Sequence, residues 1–324
     1  MVKILKIILI LFSVVNFLIF TAYIYINIPY SIDKTVLIQK GKSIKEISVI
    51  LEKEGVIKDR NIFLIYSLFK GKPLRAGYYR FSGNYSIKDV WDVLYKGKEQ
   101  IYPFTIIPGD DLFDIGKKLE DEGFIAKDVF LNYVFNIENV KKFGLEGESF
   151  EGYFPPETYL LSKCSDAEYI VKAFVKEFRK KYLPLKKDFE NKGIPFYKGM
   201  IIASIVEKES PIDEEKPIIA GIIIKRLQKG MLLQVDPTVI YSLKIEGKWD
   251  GKLGGDIMRF ESPYNTYINK GLPPTPISSF SLESLEAVLN YRQTDYLYYF
   301  SPDGKSHIFS KTYREHLRKL KKYR

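Results

Sequence analysis

The longest feature in the hydrophobic pattern is an uncharged, mostly apolar run at residues 7–28. No charge lies between Lys6 and Asp33, and about 20 apolar residues are enough to cross a bilayer core. Lys3 and Lys6 precede the run, so the positive-inside rule predicts a cytoplasmic N-terminus and an extracytoplasmic remainder. The alternatives are a buried core helix and a cleaved signal peptide, but the run is long for a signal core and no Ala-x-Ala-like site follows it. We therefore predict a single-pass anchor in the cell inner (cytoplasmic) membrane over residues 1–30.

The next part of the chain contains a pattern that occurs twice. Gly41 and Gly109 open the two copies, and Gly55 and Gly123 follow the first helix of each copy at the same offset. Each copy predicts a strand, a glycine turn, an amphipathic helix, a glycine stop and a second helix. The strands are expected at residues 35–38 and 101–107, and the second helices at residues 59–69 and 127–134.

Between the two copies, residues 75–81 alternate like a strand and residues 86–95 have the pattern of a capped helix. The order strand, helix, helix, strand with a glycine turn resembles the LysM glycan-binding module. We predict two such LysM-like βααβ regions, residues 31–100 and residues 101–147. Direct binding of glycan and a spacer function that carries a later domain away from the membrane are both compatible with this pattern.

Residues 148–324 combine helical patterns with short strands and irregular, proline-rich segments. Helices are predicted at residues 165–182, at 200–210, from 211 or 217 to about 228, and at 281–291. Residues 297–300 and 307–309 flank Asp303-Gly304, which is typical of a β-hairpin. The sequence therefore predicts an α+β fold, in which a domain of helices and antiparallel strands follows the transmembrane helix and the LysM-like regions.

The composition narrows the classes of function. The 324-residue chain has a formal net charge of +10, which suits acidic lipid, acidic glycan or nucleic acid, but no nucleotide loop or zinc-ligand spacing accompanies it. The single cysteine, Cys164, allows no intramolecular disulfide and is most simply a small packing residue. With His307 and His316 as the two histidines, a metal site or a Ser–His triad is not expected. We predict no cofactor, no metal and no nucleic-acid partner.

An apolar helical run at residues 200–210 ends in two acids, Glu207 and Glu209. At about 100° per residue, Glu207 shares a row with Met200 and Ala203, so its carboxyl group would be partly desolvated. Desolvation favours the neutral form of a carboxyl group, which can then donate a proton near neutral pH. Glu209 lies about 200° further round the helix and is expected to point elsewhere. The alternative is an ordinary helix end with two solvated acids.

Several sequence blocks in a fixed order resemble one known family. The main blocks are Ala203-Ser204-Ile205-Val206-Glu207-Lys208-Glu209, Leu233-Gln234-Val235-Asp236-Pro237-Thr238, Ser262-Pro263-Tyr264-Asn265-Thr266-Tyr267 and Gly271-Leu272-Pro273-Pro274. Residues 151–155 and 75–78 match as well, while Pro156-Glu157 stands where such proteins usually carry Pro-Asp. The chain resembles the endolytic murein transglycosylases (MltG-type, YceG-like) over nearly its whole length, and residues 148–324 correspond to the catalytic domain.

The resemblance implies a lyase that cuts peptidoglycan glycan strands between N-acetylmuramic acid and N-acetylglucosamine. Glu207 corresponds to the catalytic acid of the family. It would protonate the glycosidic oxygen and then, as a base, take the proton of the muramoyl 6-hydroxyl, which closes on the anomeric carbon and leaves a 1,6-anhydro end. An internal nucleophile removes the need for the second carboxylate of ordinary glycosidases. Such cleavage would terminate the elongation of nascent strands.

The same blocks contain the residues that are predicted to bind the sugar chain. They are Gln234, Asp236, Thr238, Tyr264, Asn265, Thr266, Tyr267 and Glu157. Gln234 and Asp236 could bond the sugar N-acetyl groups, and residues 264–267 could either stack on sugars or form a packed turn. Ser204 and Glu209 are expected to support the acid. The implied partners are peptidoglycan strands, the lipid bilayer and cell-wall synthases.

Two other functions remain open at this point. One is a hydrolytic muramidase in which Glu207 is the acid and Asp236 or Glu157 is its partner. Hydrolysis would add water to the product, whereas the lytic route leaves an anhydro end. The other is a non-catalytic, membrane-tethered scaffold that binds peptidoglycan. A basic nucleic-acid-binding protein conflicts with the predicted anchor.

Overall fold

The chain begins with a long, exposed apolar helix. The computed structural model describes residues 2–163, 165–252, 254 and 258–323. Helix α1 (Val2–Asn27) contains a 22-residue stretch, Lys6–Asn27, that is long and apolar enough to cross a membrane and is not buried against the rest of the protein. This helix is compatible with the predicted single-pass anchor. The prediction for Cys164 falls outside the described residues.

The chain divides into two compact units, residues 1–102 with 160–165 and residues 103–159 with 166–324. In the first unit, α1 is followed by β1 (Tyr30–Ile38), α2 (Ile44–Lys53), α3 (Arg60–Lys70), β2 (Gly77–Tyr85) and α4 (Ile87–Lys96). β1 and β2 pair antiparallel along their whole length. Helix α2 begins at a capping box in which Ser43 and Glu46 each bond the backbone of the other, which satisfies two amides at the helix start.

The core of the first unit explains this order of elements. Buried positions of β1 and β2 pack against the apolar faces of α2, α3 and α4. Phe63, Tyr79, Phe81 and Leu94 are fully enclosed there. The predicted order strand, helix, helix, strand is therefore present over residues 30–85. Its likeness to a LysM module stays a prediction.

The second unit is mainly helical. Its elements are β3 (Ile101–Ile106), α5 (Leu112–Asp121), α6 (Lys127–Val134), α7 (Ile137–Lys142), β4 (Glu157–Ser162), α8 (Ala167–Lys181), a 3-10 turn (Leu183–Leu185), α9 (Lys186–Asn191), α10 (Phe196–Glu209), α11 (Lys216–Gln228), α12 (Asp236–Ile245), α13 (Leu282–Leu289), β5 (Tyr298–Phe300), β6 (Ile308–Ser310) and α14 (Tyr313–Tyr323). β3 pairs with β4, and β5 pairs antiparallel with β6 around the predicted Asp303-Gly304 turn. The border between the two units falls within β3 and β4. The predicted mixture of helices and antiparallel strands is confirmed.

The repeat in the sequence has a matching backbone. Gly41 and Gly109 turn the chain before a helix at φ values of 82° and 85°, and Gly55 and Gly123 follow the end of a helix at 72° in both copies. Positive φ values are open to glycine and costly for a residue with a Cβ. This conformation explains why glycine recurs at the same two places in each copy.

Helix α10 lies in the core of the second unit because it is apolar on nearly every side. All residues from Met200 to Val206 are buried, and α10 packs against α11, α12 and α13. Pro217 stands in the first turn of α11, which decides between the two starts that the sequence allowed. Helices α7, α9, α12 and α14 were not predicted. Asp236-Pro237 begins α12, and proline in the first turn is typical of a helix start.

Candidate active site

Glu207 and Glu209 leave the end of α10 in different directions, as their spacing predicted. The Glu207 carboxylate reaches the start of α13. Its Oε2 accepts the Ser281 backbone N–H at 2.8 Å, the Ser281 hydroxyl at 2.6 Å and the Ser284 hydroxyl at 2.6 Å. The Nζ of Lys216 lies 3.5 Å from Oε1, and both of these side chains are almost fully buried. Glu207 therefore ties α10 to α11 and α13.

These contacts engage both oxygens of the Glu207 carboxyl group. Ser281, which supplies two of the three hydrogen bonds to Oε2, is the N-cap residue of α13. The other oxygen faces the buried Lys216. The role of Glu207 as the acid stays a prediction.

Glu209 lies near the β5–β6 hairpin, close enough for Tyr299 and His307 to influence its pKa. Protein atoms surround the carboxyl group, yet part of the side chain remains exposed. Burial raises the pKa of Glu209, a hydrogen bond with the Tyr299 hydroxyl acts against this rise, and the charge of Asp236 adds to it. The charges of His307 and Arg226 also lower the pKa. A carboxyl group that is inclined to stay protonated, on a residue that is partly exposed, is a candidate for a general acid.

Arg226 fixes the backbone of two segments near Glu209. From α11, its Nε donates to the Leu297 carbonyl at 2.7 Å and its Nη1 donates to the Leu233 carbonyl at 2.6 Å. Leu297 immediately precedes β5, which carries Tyr299, and Leu233 lies in the loop that leads to Asp236. One buried guanidinium therefore joins the two segments that approach the Glu209 carboxyl group.

His307, next to strand β6, is held by Glu215. Its backbone N–H and its Nδ1 lie 3.1 Å and 2.6 Å from the two carboxylate oxygens of Glu215. The imidazole packs edge-on against the Tyr299 ring, with 5.5 Å between ring centres. These contacts give His307 a structural role in which it supports Tyr299.

Two of the predicted sequence blocks lie side by side near Glu209. The Gln234 N–H donates to the Thr266 carbonyl at 3.1 Å, and the Tyr267 hydroxyl donates to Asp236. Asp236 is close enough to influence the charge of Glu209. The contacts bring the side chains of Gln234, Asp236 and Tyr267, all of them at least partly exposed, to one surface.

Gln234 has an unusual backbone conformation. Its φ angle is 54°, the one positive value at a non-glycine position among the described residues. A left-handed backbone costs a residue with a Cβ roughly 1–2 kcal/mol, and such strain concentrates at functional sites. Because the Gln234 side chain is exposed, the strained turn presents an amide group at the same surface as Asp236.

Comparison with known proteins identifies the family. The YceG-like family matches residues 36–322. The chain belongs to the YceG-like family. Similar proteins include the endolytic murein transglycosylase of Bacillus subtilis, 31% identical over 88% of this chain and 83% of the relative, and that of Streptococcus pneumoniae serotype 2, 28% identical over 91% of this chain and 62% of the relative. A crystal structure of a yceG-like protein from Listeria monocytogenes matches with a TM-score of 0.61 and 30% identity, covering 88% of this chain and 97% of that chain.

Several residues in the YceG-like blocks that were predicted to bind sugar lie inside the protein. Thr238, Asn265 and Thr266 are buried, and their side chains bond to each other or to nearby backbone. The Tyr264 hydroxyl pairs with the Thr275 hydroxyl at 2.9 Å. These contacts agree with the alternative that residues 264–267 form a packed turn. Contact with sugar is then left to the exposed side chains of the segments that contain Gln234 and Tyr267.

Glu157 and Ser204 also have partners within the second unit. Glu157 pairs with Lys181 at the end of α8, and this hydrogen bond lowers the pKa of Glu157. The buried Ser204 hydroxyl accepts the Ile277 N–H at 3.0 Å and donates to the Ile201 carbonyl at 2.8 Å. Ser204 therefore anchors the loop that leads to α13, the helix whose first turn binds Glu207.

The sequence analysis did not identify Arg226, Tyr299 or Glu215 as part of a YceG-like site. Arg226 interrupts the buried face of α11, and a buried arginine is a signal that paired groups lie nearby. Tyr299 belongs to a run of aromatic residues that is typical of a packed strand. Their roles depend on contacts between segments that are far apart in the chain, which periodicity does not reveal.

Proposed function

We propose that this chain is a membrane-anchored lytic transglycosylase that cleaves peptidoglycan glycan strands between N-acetylmuramic acid and N-acetylglucosamine. Its membership of the YceG-like family supports the proposal, together with the relatives in Bacillus subtilis and Streptococcus pneumoniae that are named endolytic murein transglycosylase. The reaction leaves a 1,6-anhydro-muramoyl end and terminates the elongation of a nascent strand.

The observation that carries the mechanism is that Glu209 is partly exposed as a residue while protein atoms enclose its carboxyl group. Its raised pKa favours the protonated acid before the reaction. Glu209 gives this proton to the glycosidic oxygen while the bond between that oxygen and muramoyl C1 breaks. The muramoyl O6 then bonds to C1 and passes its proton to the Glu209 carboxylate. The acid is restored, and no water enters the product.

One carboxyl group is sufficient because the nucleophile belongs to the substrate. We assign the acid to Glu209 in preference to Glu207 because the serine donors and Lys216 engage both oxygens of Glu207, whereas burial raises the pKa of Glu209. Asp236 accepts the Tyr267 hydroxyl and is suited to orient the sugar through hydrogen bonds.

The proposal includes a place in the cell. Lys3 and Lys6 precede the apolar run at residues 7–28, so the positive-inside rule predicts a cytoplasmic N-terminus and a catalytic domain outside the cytoplasmic membrane. The synthases that produce glycan strands at this surface are the expected partners. The LysM-like regions, residues 31–100 and 101–147, would bind the glycan or hold the catalytic domain at a distance from the bilayer.

The mass of the products tests the proposal. The full chain in detergent, incubated with purified peptidoglycan, should release fragments that end in 1,6-anhydro-muramic acid. Products heavier by one water would instead identify a hydrolytic muramidase with Asp236 as the second carboxylate. Glycan strands that bind but stay intact would identify a non-catalytic scaffold. Glu209→Gln keeps the shape of the side chain and removes the acid, so it is the matched negative control.

A further inference from the structure

We infer that Lys244 is a positioning residue, which holds the first turn of α5 and thereby fixes α12, and with it Asp236, relative to α10. The inference rests on the proposed functions of Glu209 as the acid and of Asp236 as a group that orients the sugar. It gives the second copy of the repeat a part in catalysis, because the turn that Lys244 binds, residues 109–114, belongs to that copy.

The Lys244 side chain joins α12 to the start of α5. Its Nζ lies 2.5 Å from Oδ2 of Asp111 and 2.9 Å from both carboxylate oxygens of Asp114. The side chains of Lys244 and Asp111 are 17% and 5% exposed, so salt and water screen this ion pair little. A buried ion pair holds its two partners in place, because separation would leave a buried charge without a partner.

A second contact between the same two helices lies one turn earlier in α12. The Tyr241 hydroxyl donates to Oε2 of Glu151 at 2.8 Å, and the same oxygen accepts the Leu112 backbone N–H at 3.1 Å. Residues three positions apart share a face of a helix, so Tyr241 and Lys244 attach one face of α12 to α5. Asp236 is the first residue of α12 and lies about 12 Å from Lys244 at 1.5 Å per residue. A tilt of the helix would therefore displace Asp236.

The same turn of the second copy is attached to the end of α10. Lys208, which stands between the two glutamates, donates from Nζ to the Gly109 carbonyl at 3.0 Å. The Gly109 N–H donates to the Ser279 carbonyl at 3.0 Å, and the Ser279 N–H donates to the Asp110 carbonyl at 2.6 Å. Ser279 lies just before α13, which packs against α10. Residues 109–114 therefore connect the end of α10 with α12.

The corresponding turn of the first copy has different surroundings. Ser43 and Glu46 stand at the positions of Asp111 and Asp114, and both are exposed. Each pair forms the capping box that begins its helix. In the second copy the two carboxylates also bind Lys244. The acid at position 111 thus accompanies the attachment of this turn to the catalytic domain.

A double-mutant cycle in the full chain tests the inference. Lys244→Met removes the charge and keeps much of the side-chain volume. The kcat/KM of folded molecules should fall roughly ten- to hundredfold, because a small displacement of a binding group can cost that much. Asp236→Asn alone should lower kcat/KM as well. Since Lys244 acts through Asp236, Lys244→Met should have little further effect in the Asp236→Asn background.

Lys118→Met is the matched control. Lys118 pairs with the buried Asp110 of the same turn at 2.5 Å, but it belongs to α5 and does not attach the turn to α12. This variant should lose thermal stability and keep the kcat/KM of the parent. Asp114→Asn removes one partner of Lys244 and keeps the other, so it replaces Lys244→Met if that variant does not fold. Its smaller loss should likewise disappear in the Asp236→Asn background.

Two results would overturn the inference. One is an equal loss from Lys244→Met with and without Asp236→Asn, which a merely structural role would give. The other is a loss in Lys118→Met as large as that in Lys244→Met. If Glu209→Gln retains activity, the proposed function of Glu209 fails. If Glu209→Gln is inactive and Lys244→Met behaves like the parent, the role of Lys244 alone fails.

Discussion

The two glutamates at the end of α10 lie in different surroundings. Glu207 contacts serine hydroxyls at the start of α13 and the ammonium group of Lys216. Burial raises the pKa of Glu209, and the nearby charge of Asp236 adds to this rise. The first set of contacts ties a carboxyl group to two other helices, whereas the surroundings of Glu209 favour its protonated form. The same helix end can therefore supply a structural anchor and a reactive group, and the partners decide which is which.

Replacement of each glutamate by glutamine should give the largest contrast. Glu209→Gln should lower turnover by roughly 10²–10⁴-fold, which is the usual contribution of a general acid. Glu207→Gln leaves Glu209, the proposed acid, unchanged. Each folded molecule of this variant should therefore retain most of its turnover. The measurement is the release of anhydro-ended fragments, normalised to folded protein. A folded but inactive Glu207→Gln beside an active Glu209→Gln would restore the assignment that the sequence block suggested.

The effects on stability should show the opposite order. Glu207→Ala removes the acceptor of three hydrogen bonds and one of the partners of the buried Lys216, so the free energy of unfolding should fall by about 3 kcal/mol. Ser284→Ala removes one of those donors and should cost about 1 kcal/mol. Thermal unfolding of the full chain in detergent measures both. If Glu207→Ala is as stable as the parent, the contacts between α10 and α13 do not have the structural role that we assign to them.

The assignment of these two acids shows the limit of local sequence patterns. The helical spacing of apolar residues predicted a helix at α10. It also predicted the burial of the row of residues that contains Glu207. The groups that distinguish the acids, Ser281 and Tyr299, follow more than seventy positions later in the chain. Because these partners meet α10 only through the packing of α13 and the hairpin, no window of sequence could show which carboxyl group is anchored and which is desolvated.

Local sequence patterns were equally limited in the predicted sugar-binding block. The sequence identified residues 262–267 as a distinctive segment, and the structure places that segment beside Gln234. It could not show that the Asn265 and Thr266 side chains point inward while Tyr267 reaches Asp236. Regular elements were predicted more fully, because a helix or a hairpin depends on neighbours in the sequence and a binding surface depends on the final packing.

Glu151 tests whether a raised pKa alone marks the acid. Burial, strengthened by the charge of Asp111, raises the pKa of Glu151 to about 8, and the residue is 1% exposed. Its carboxyl group accepts the Leu112 N–H at 3.1 Å and the Tyr241 hydroxyl at 2.8 Å. Since this carboxyl group is closed to solvent, Glu151→Gln should retain turnover. A folded variant without turnover would contradict the view that access separates Glu209 from Glu151.

The same variant should change the pH dependence of stability. The folded protein keeps the Glu151 proton up to a pKa of about 8, whereas the unfolded chain releases it near the ordinary value of 4.5. Between these values the folded state binds more protons, so this carboxyl group makes stability fall as the pH rises. Glu151→Gln cannot titrate and should reduce that fall by on the order of a few kcal/mol. Unfolding temperatures of both proteins across this pH window measure the difference.

Replacement of the strained residue near Glu209 should have the smallest effect on stability. Gln234→Gly relieves the left-handed backbone at φ 54°, so the free energy of unfolding should rise by about 0.5–1 kcal/mol. The variant lacks the exposed amide and should bind glycan more weakly, which would raise KM. Gln234→Asn keeps an amide on a residue that tolerates this backbone, so it should fall between the parent and the glycine variant in both measurements.

A gain in stability together with weaker binding would extend the contrast between the two glutamates. Backbone strain would then occur beside Glu209, the reactive carboxyl group, and be absent beside Glu207, the anchored one. A glycine variant that is less stable and binds as well as the parent would instead mean that the amide serves the fold and that the substrate surface around Glu209 lies elsewhere.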